Sequence, residues 1–190
     1  MREYRYCPFC RTPMKRNAEG ILACQDAQEC GFVHYDNPIP VVAVLIPMAH
    51  EFLAQAGMAV QDIPDKGIVL VRRKNPPYVG EWCLPCGYMN QYGNPKAEAA
   101  REALEETGLI VRAEKILCVC NPVPGAVNQL TISYLARPVG GILQAGDDAS
   151  QVGVFAEVDL PDVCFRSHRM VLDRWLAGEF GALTGQDLEY

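Results

Sequence analysis

The sequence predicts an α/β domain preceded by a small cysteine-rich module. Three observations carry this. Residues 1–36 hold Cys7, Cys10, Cys24 and Cys30 but no long apolar segment. From Ile39 onward, strand-like apolar runs recur along the chain. Among them lies one helix marked at both ends, by Asn94-Pro95 at its start and Gly108 at its finish.

The bulk properties fit that frame. A chain of 190 residues has room for one domain with a sizeable core plus a small module. Hydrophobic residues make up 49 % and charged residues 21 %, as in ordinary globular proteins. The formal net charge of -6 argues against nucleic-acid binding, which needs a basic face. It also calls for bound divalent cations if the substrate carries phosphates. No membrane span is expected: the longest apolar run, Ile39 to Ala49, is about half the length a span needs, and Pro40 and Pro47 interrupt it. Met1 to Cys7 contains no apolar signal core, so the expected location is the cytoplasm. The nine cysteines are odd in number and lack a secretion signal, which disfavours a disulfide framework.

The elements follow in order. Tyr35-Asp36-Asn37-Pro38 reads as a turn that closes the module at about residue 36. Strands are expected at Ile39–Ile46 and Gly67–Arg72. Between them, Pro47–Lys66 reads as an insertion with a short helix near Glu51–Ala56. Pro76, Pro77 and Gly80 mark a loop, and Leu84–Met89 reads as extended. The marked helix runs to about Thr107. Strands near Leu109–Val119, Gln129–Ala136 and Val152–Val158 come next, then a closing helix over Ser167–Ala177.

Cys7-Pro8-Phe9-Cys10 is a CxxC knuckle, followed by Cys24 and Cys30. Two cysteine pairs so arranged are the pattern of a four-thiolate zinc site, which would fold a segment too small to fold by burial. Five residues separate the second pair where two are typical, so His34 competes with Cys30 for the fourth position. Four protein ligands leave no open position, and the expected role is structural. A second CxxC, Cys83-Leu84-Pro85-Cys86, is followed by Gly87 to Gly93, a poor helix with two glycines. The thioredoxin-type redox motif needs a helix there, so these read as ordinary buried or half-buried cysteines.

The helix holds the chemistry. Ala97, Ala100, Ala103 and Leu104 read as its apolar stripe. Glu102 lies three residues from Glu105 and four from Glu106, so three carboxylates crowd together. A cation would relieve their repulsion, and oxygen-only ligands favour Mg2+ or Mn2+. Arg101 can pair with Glu105 one turn on. Taken alone, the helix reads more readily as a solvated acidic surface.

The flanks of this helix resemble those of the Nudix hydrolases. The family pattern is a glycine, five residues, a glutamate, seven residues, then Arg-Glu-aliphatic-x-Glu-Glu-x-Gly-aliphatic. Here Gly87 is followed by five residues, Gly93, seven residues, and Arg101-Glu102-Ala103-Leu104-Glu105-Glu106-Thr107-Gly108-Leu109. The lead-in Gly80-Glu81-Trp82-Cys83-Leu84-Pro85 is also similar to the family's. The resemblance implies a mixed β-sheet sandwiched between helices. It places a zinc ribbon at 1–36 and the Nudix domain with its C-terminal helix at 37–190. A ribbon in front of such a domain resembles NADH pyrophosphatases and certain ADP-ribose or FAD pyrophosphatases. The Ser-Gln-Pro-Trp motif of the first group is absent from Cys120-Asn121-Pro122-Val123-Pro124-Gly125, which favours the second.

The resemblance further implies Glu102 and Glu106 as main ligands of Mg2+ or Mn2+. Glu105 is implied as a further ligand or the general base, the backbone carbonyl of Cys86 as another ligand, and Arg101 as the group orienting Glu105. The implied substrate is a small nucleoside diphosphate derivative cleaved at its diphosphate, and the implied assembly is a homodimer. Two departures stand out. Gly93 occupies the position of the first signature glutamate, which in the family mainly braces the catalytic helix, and Asn90 stands where many relatives have an acid. Near a late strand, Asp148 is available where the family often has a glutamate, while Gln151 cannot act as a base. Arg72 and Arg73 read either as phosphate contacts or as solvent-facing strand charges. An alternative function is therefore a nucleotide-binding regulatory module with weak or no turnover.

Overall fold

A computed structural model describes residues 4–59, 61, 63–121 and 128–180. The chain divides into two compact units, Met1–Pro38 and Ile39–Tyr190. Val60 and Asp62 of the expected insertion, the whole of 122–127 and the last ten residues lie outside the described residues.

The first unit is a small antiparallel sheet. Its strands are β1 (Met14–Arg16), β2 (Leu22–Cys24) and β3 (Val33–His34), in the order β1-β2-β3. Its buried core consists of Cys7, Met14, Leu22 and Cys24, so half of what it buries is cysteine. So little apolar surface cannot offset the entropy of ordering a segment this size, which is why a cross-link or metal is needed there.

The second unit opens with β4 (Ile39–Leu45), β5 (Pro47–Met48), α1 (His50–Gln55) and β6 (Gly67–Arg73). Then come β7 (Trp82–Cys83), β8 (Cys86–Tyr88), α2 (Pro95–Thr107), β9 (Leu109–Cys120), β10 (Gln129–Gly141), β11 (Ala149–Phe155), a 3-10 turn (Glu157–Asp159) and α3 (Arg166–Leu176). One sheet runs β8-β4-β10-β9 and is mixed: β4 and β10 are parallel, and the other pairs are antiparallel. A second sheet runs β11-β6-β5, with β7 also on β6. Both central strands read as continuous apolar runs because both their faces are covered. Val42, Val44 and Val69 face one core with Ala99 and Ala103 of α2, while Leu45, Ile68 and Leu70 face another with Val171 and Leu172 of α3. The fold is thus the expected sheet structure sandwiched between helices.

Three expectations are refined. The extended stretch at 84–89 holds β8, and β7 comes just before it on the other sheet. β7 pairs with β6 and β8 with β4, so the chain crosses between sheets at Leu84-Pro85. Pro85 suits the crossing: it has no N–H to pair, and its carbonyl accepts from Val44 at 2.9 Å. The strand expected at 152–158 is Ala149–Phe155, because Ala156 gives way to the 3-10 turn. Finally, Pro47–Lys66, expected as an insertion with a short helix, carries that helix as α1 and is built into the core. β5 pairs with β6, and Met48 and Leu53 are wholly buried in the α2 core. No helix among the described residues is long and apolar enough to cross a membrane.

Candidate active site

Helix α2 begins and ends where local chemistry dictates. The Asn94 side chain accepts from the N–H groups of Lys96 (3.0 Å) and Ala97 (3.3 Å), and Pro95 needs no acceptor at the first turn. Gly108 ends the helix at φ +71°, and a Cβ there would sit 2.2 Å from the Ile142 carbonyl. Only glycine meets both conditions.

The buried face of α2 differs from the expected stripe. Leu104 is 48 % exposed, whereas Ala99, Glu102, Ala103 and Glu106 point inward with Glu98. In an alanine-rich helix several stripes are apolar enough to pack. The one that packs here holds acids, turned toward β8 and the loop before β11.

Arg101 gathers them. Its guanidinium donates to Glu98 Oε2 (2.7 Å), Glu102 Oε1 (2.7 Å), Glu105 Oε2 (2.6 Å) and the Tyr88 carbonyl of β8 (3.1 Å). One cation thus joins three carboxylates and a strand, with its charge held firmly by those partners. Glu98 in turn accepts from both the backbone N–H (3.0 Å) and the side-chain amide (3.1 Å) of Asn90. The Asn90 N–H, followed by Arg101, holds its carboxyl below the usual range.

Glu102 and Glu106 behave oppositely. Burial pushes both upward, Glu106 to about 8. Glu106 accepts from the Cys86 N–H at 2.9 Å, while the charges of Glu102 and Asp148 oppose its ionisation. Asp147 acts likewise on Glu102. Gly87 lies flat against Glu102: a Cβ there would fall 2.1 Å from Glu102 Oε1. Carboxylate oxygens held in this way, buried and resisting charge, are a donor set suited to a hard divalent cation.

The remaining sequence candidates fall as follows. Arg72 donates to the Gly80 carbonyl (2.5 Å) and to Gln151 (3.3 Å). Arg73 donates to the Pro77 (2.7 Å) and Asn75 (3.2 Å) carbonyls and lies over the Phe165 ring. Both arginines therefore hold the loop after β6. Asp148 accepts from Asn75 at 2.5 Å and lies near enough to Glu106 to affect it. In the first unit, the sulfurs of Cys7, Cys10, Cys24 and Cys30 all lie within 4.8 Å of one another. Cys30 completes this group; His34 instead packs edge-on to the Tyr4 ring.

Glu98 was not foreseen as a functional residue. Its signal was present but indirect. Gly93 leaves a space where a side chain belongs, and a Cβ on Gly93 would fall 2.7 Å from Glu98 Oε1.

Residues 53–174 match the family model described as the NUDIX domain. The ADP-ribose pyrophosphatase of Methanocaldococcus jannaschii is 33 % identical over 120 residues, covering 60 % of this chain and 70 % of that protein. The crystal structure of a NUDIX hydrolase from Nitrosomonas europaea superposes with a TM-score of 0.73 at 25 % identity, covering 94 % of each chain. An ADP-ribose pyrophosphatase from Streptococcus suis superposes at 0.58 with 20 % identity, covering 78 % of this chain and 96 % of that one, and shows likeness of fold alone. With the family model spanning well over half of its length, the chain belongs to the Nudix hydrolase family.

Proposed function

We propose that the protein hydrolyses the diphosphate linkage of a nucleoside diphosphate derivative of the ADP-ribose or FAD type, with Mg2+ or Mn2+. The observation that carries this is the Arg101 cluster: three carboxylates on one guanidinium, beside a buried Glu106 that resists ionisation. The similarity to a named ADP-ribose pyrophosphatase supports the substrate class. Glu102 and Glu106 would hold the cation, together with the Cys86 carbonyl. Bound there, a divalent ion offsets the burial of both acids, neutralises the diphosphate and lowers the pKa of the attacking water.

The rest falls to side chains. Glu105 is the most exposed of the cluster's acids, and Arg101 fixes it at 2.6 Å. It takes the proton from the water as oxygen bonds to phosphorus and the bridging P–O bond breaks. Glu98 and Asn90 hold Arg101 against β8. We further propose that Glu98 takes over the bracing role of the glutamate that Gly93 replaces, since both positions point at one space. In the first unit, the four clustered thiols would hold a structural zinc ion.

Purified protein is expected to hydrolyse ADP-ribose or FAD with Mg2+ or Mn2+, and not in chelator. Binding without turnover of these, NADH or diadenosine polyphosphates would establish the regulatory reading instead. Glu106→Gln loses both turnover and Mn2+ affinity. Glu105→Gln lowers kcat by about 100-fold or more while Mn2+ affinity stays near that of the unmutated chain; a parallel loss of affinity would make Glu105 a ligand.

The bracing role is testable by exchange. Glu98→Ala lowers kcat by about 10–100-fold, and Gly93→Glu alone disturbs the site because two side chains meet in one space. Gly93→Glu combined with Glu98→Ala recovers much of the loss. If the double variant is no better than Glu98→Ala, the exchange is refuted.

A pH effect follows from Glu106. Its carboxyl ionises near 4.5 in the unfolded chain but at about 8 in the fold. Between those values the unfolded state gives up a proton that the folded state keeps, so ionisation favours unfolding. In chelator, the thermal midpoint should therefore fall as pH rises from about 5 to 8. Glu106→Gln should flatten that slope, and an unchanged slope would show that Glu106 is not the group responsible.

A further inference from the structure

We propose that Cys83, Cys86, Cys164 and His168 form a second zinc site, lying between β7 and the start of α3. Donor atoms of Cys83, Cys86 and His168 all lie within 4.8 Å of one another. Cys164 packs into the same cluster as Cys83 and Cys86 and is the thiol that would close in as the fourth donor. Donors about 2.0–2.3 Å from a tetrahedral centre stand some 3.5 Å apart, so the cluster is already near the spacing zinc needs. Read as a pattern, the set is a CxxC on β7 and β8 followed by Cys-x-x-x-His, with Cys164 in the bend before α3 and His168 in its first turn.

The fold builds this meeting deliberately. Val163 bridges Trp82, and the Cys164 N–H donates to the Trp82 carbonyl at 2.9 Å. These contacts lay the segment before α3 along β7. His168, one turn into α3, is then buried and aims Nδ1 into the Cys83–Cys86 loop, where it accepts from the Leu84 N–H at 3.2 Å. Nδ1 therefore carries the ring's lone pair, and zinc would take that lone pair in place of the Leu84 N–H. Three thiols and one imidazole are soft and borderline donors, which select zinc over the hard cations suited to the carboxylates.

The position gives the site a task. Cys86 supplies the backbone N–H that Glu106 accepts, and Cys83 and Cys86 flank the Leu84-Pro85 crossing between sheets. A zinc ion there would clip α3 to that crossing and so fix the strand against which α2 sets its acids. Four protein ligands make it structural, and it does not depend on the hydrolase reading.

Metal content decides the matter. The full chain, purified without chelator and supplied with zinc alone, is measured by elemental analysis beside Cys86→Ser/Cys164→Ser and Cys24→Ser. The two half-exposed cysteines are chosen because the fold tolerates their change better than that of buried Cys83. The double variant should lose one zinc per chain, and Cys24→Ser, which opens the first unit's cluster, should separately lose another. Cobalt loaded into Cys24→Ser should give a thiolate charge-transfer band and tetrahedral visible absorption. Zinc content unchanged by the double variant overturns the site, as does a Cys24→Ser chain that takes up no cobalt, or a Cys83–Cys86 disulfide in the protein as isolated.

Discussion

Burying several carboxylates on one helix face is expensive, and the active-site half of this fold is arranged around that expense. Glu98, Glu102 and Glu106 lie on the inward side of α2, each less than a tenth exposed. Like charges at that spacing repel one another. A single guanidinium meets much of the demand, because its planar fork reaches Glu98, Glu102 and Glu105 together. What Arg101 does not reach is Glu106, and Glu106 is the group burial pushes furthest from its ordinary acidity. The contrast sets Glu106 apart from the acids that Arg101 holds.

The surrounding backbone is shaped to let this happen. Gly87 gives Glu102 its room, and the Cys86 N–H gives Glu106 its one strong contact. Both lie on β8, just past the Leu84-Pro85 crossing. The placement of two acids therefore depends on a strand start whose position is set by pairing with β4 on one side and by β7 on the other. Arg72 and Arg73 hold the neighbouring loop through its carbonyls, and Arg73 acts on Glu106 through its charge.

Much of this was legible in the sequence, for physical reasons that differ by element. The bounds of α2 were readable because Asn94, Pro95 and Gly108 act locally, each on its own turn of backbone. The paired layers were readable from β4 and β6, whose unbroken apolar runs imply cover on both faces. The inward face of α2 was not, since alanines occupy several faces and the acids go in only because β8 and Arg101 receive them. The depth of Leu53 was hidden because a six-residue helix is too short to show which face is apolar. Glu98 was overlooked because its place depends on the space above Gly93. Cys164 and His168 were unreadable because only the pairing of Val163 with Trp82 carries them to the CxxC.

The central claim is that the Arg101 guanidinium, and not merely a positive charge, sets the carboxylates in working positions. The most direct measurement is kcat of Arg101→Lys on the nucleotide derivative that the unmutated chain proves to hydrolyse, with the thermal midpoint recorded alongside. A lysine keeps the charge but cannot fork to three acids and the Tyr88 carbonyl at once. The expected result is a fall in kcat of about 10–100-fold with little change in thermal midpoint. Turnover equal to that of the unmutated chain would contradict the claim.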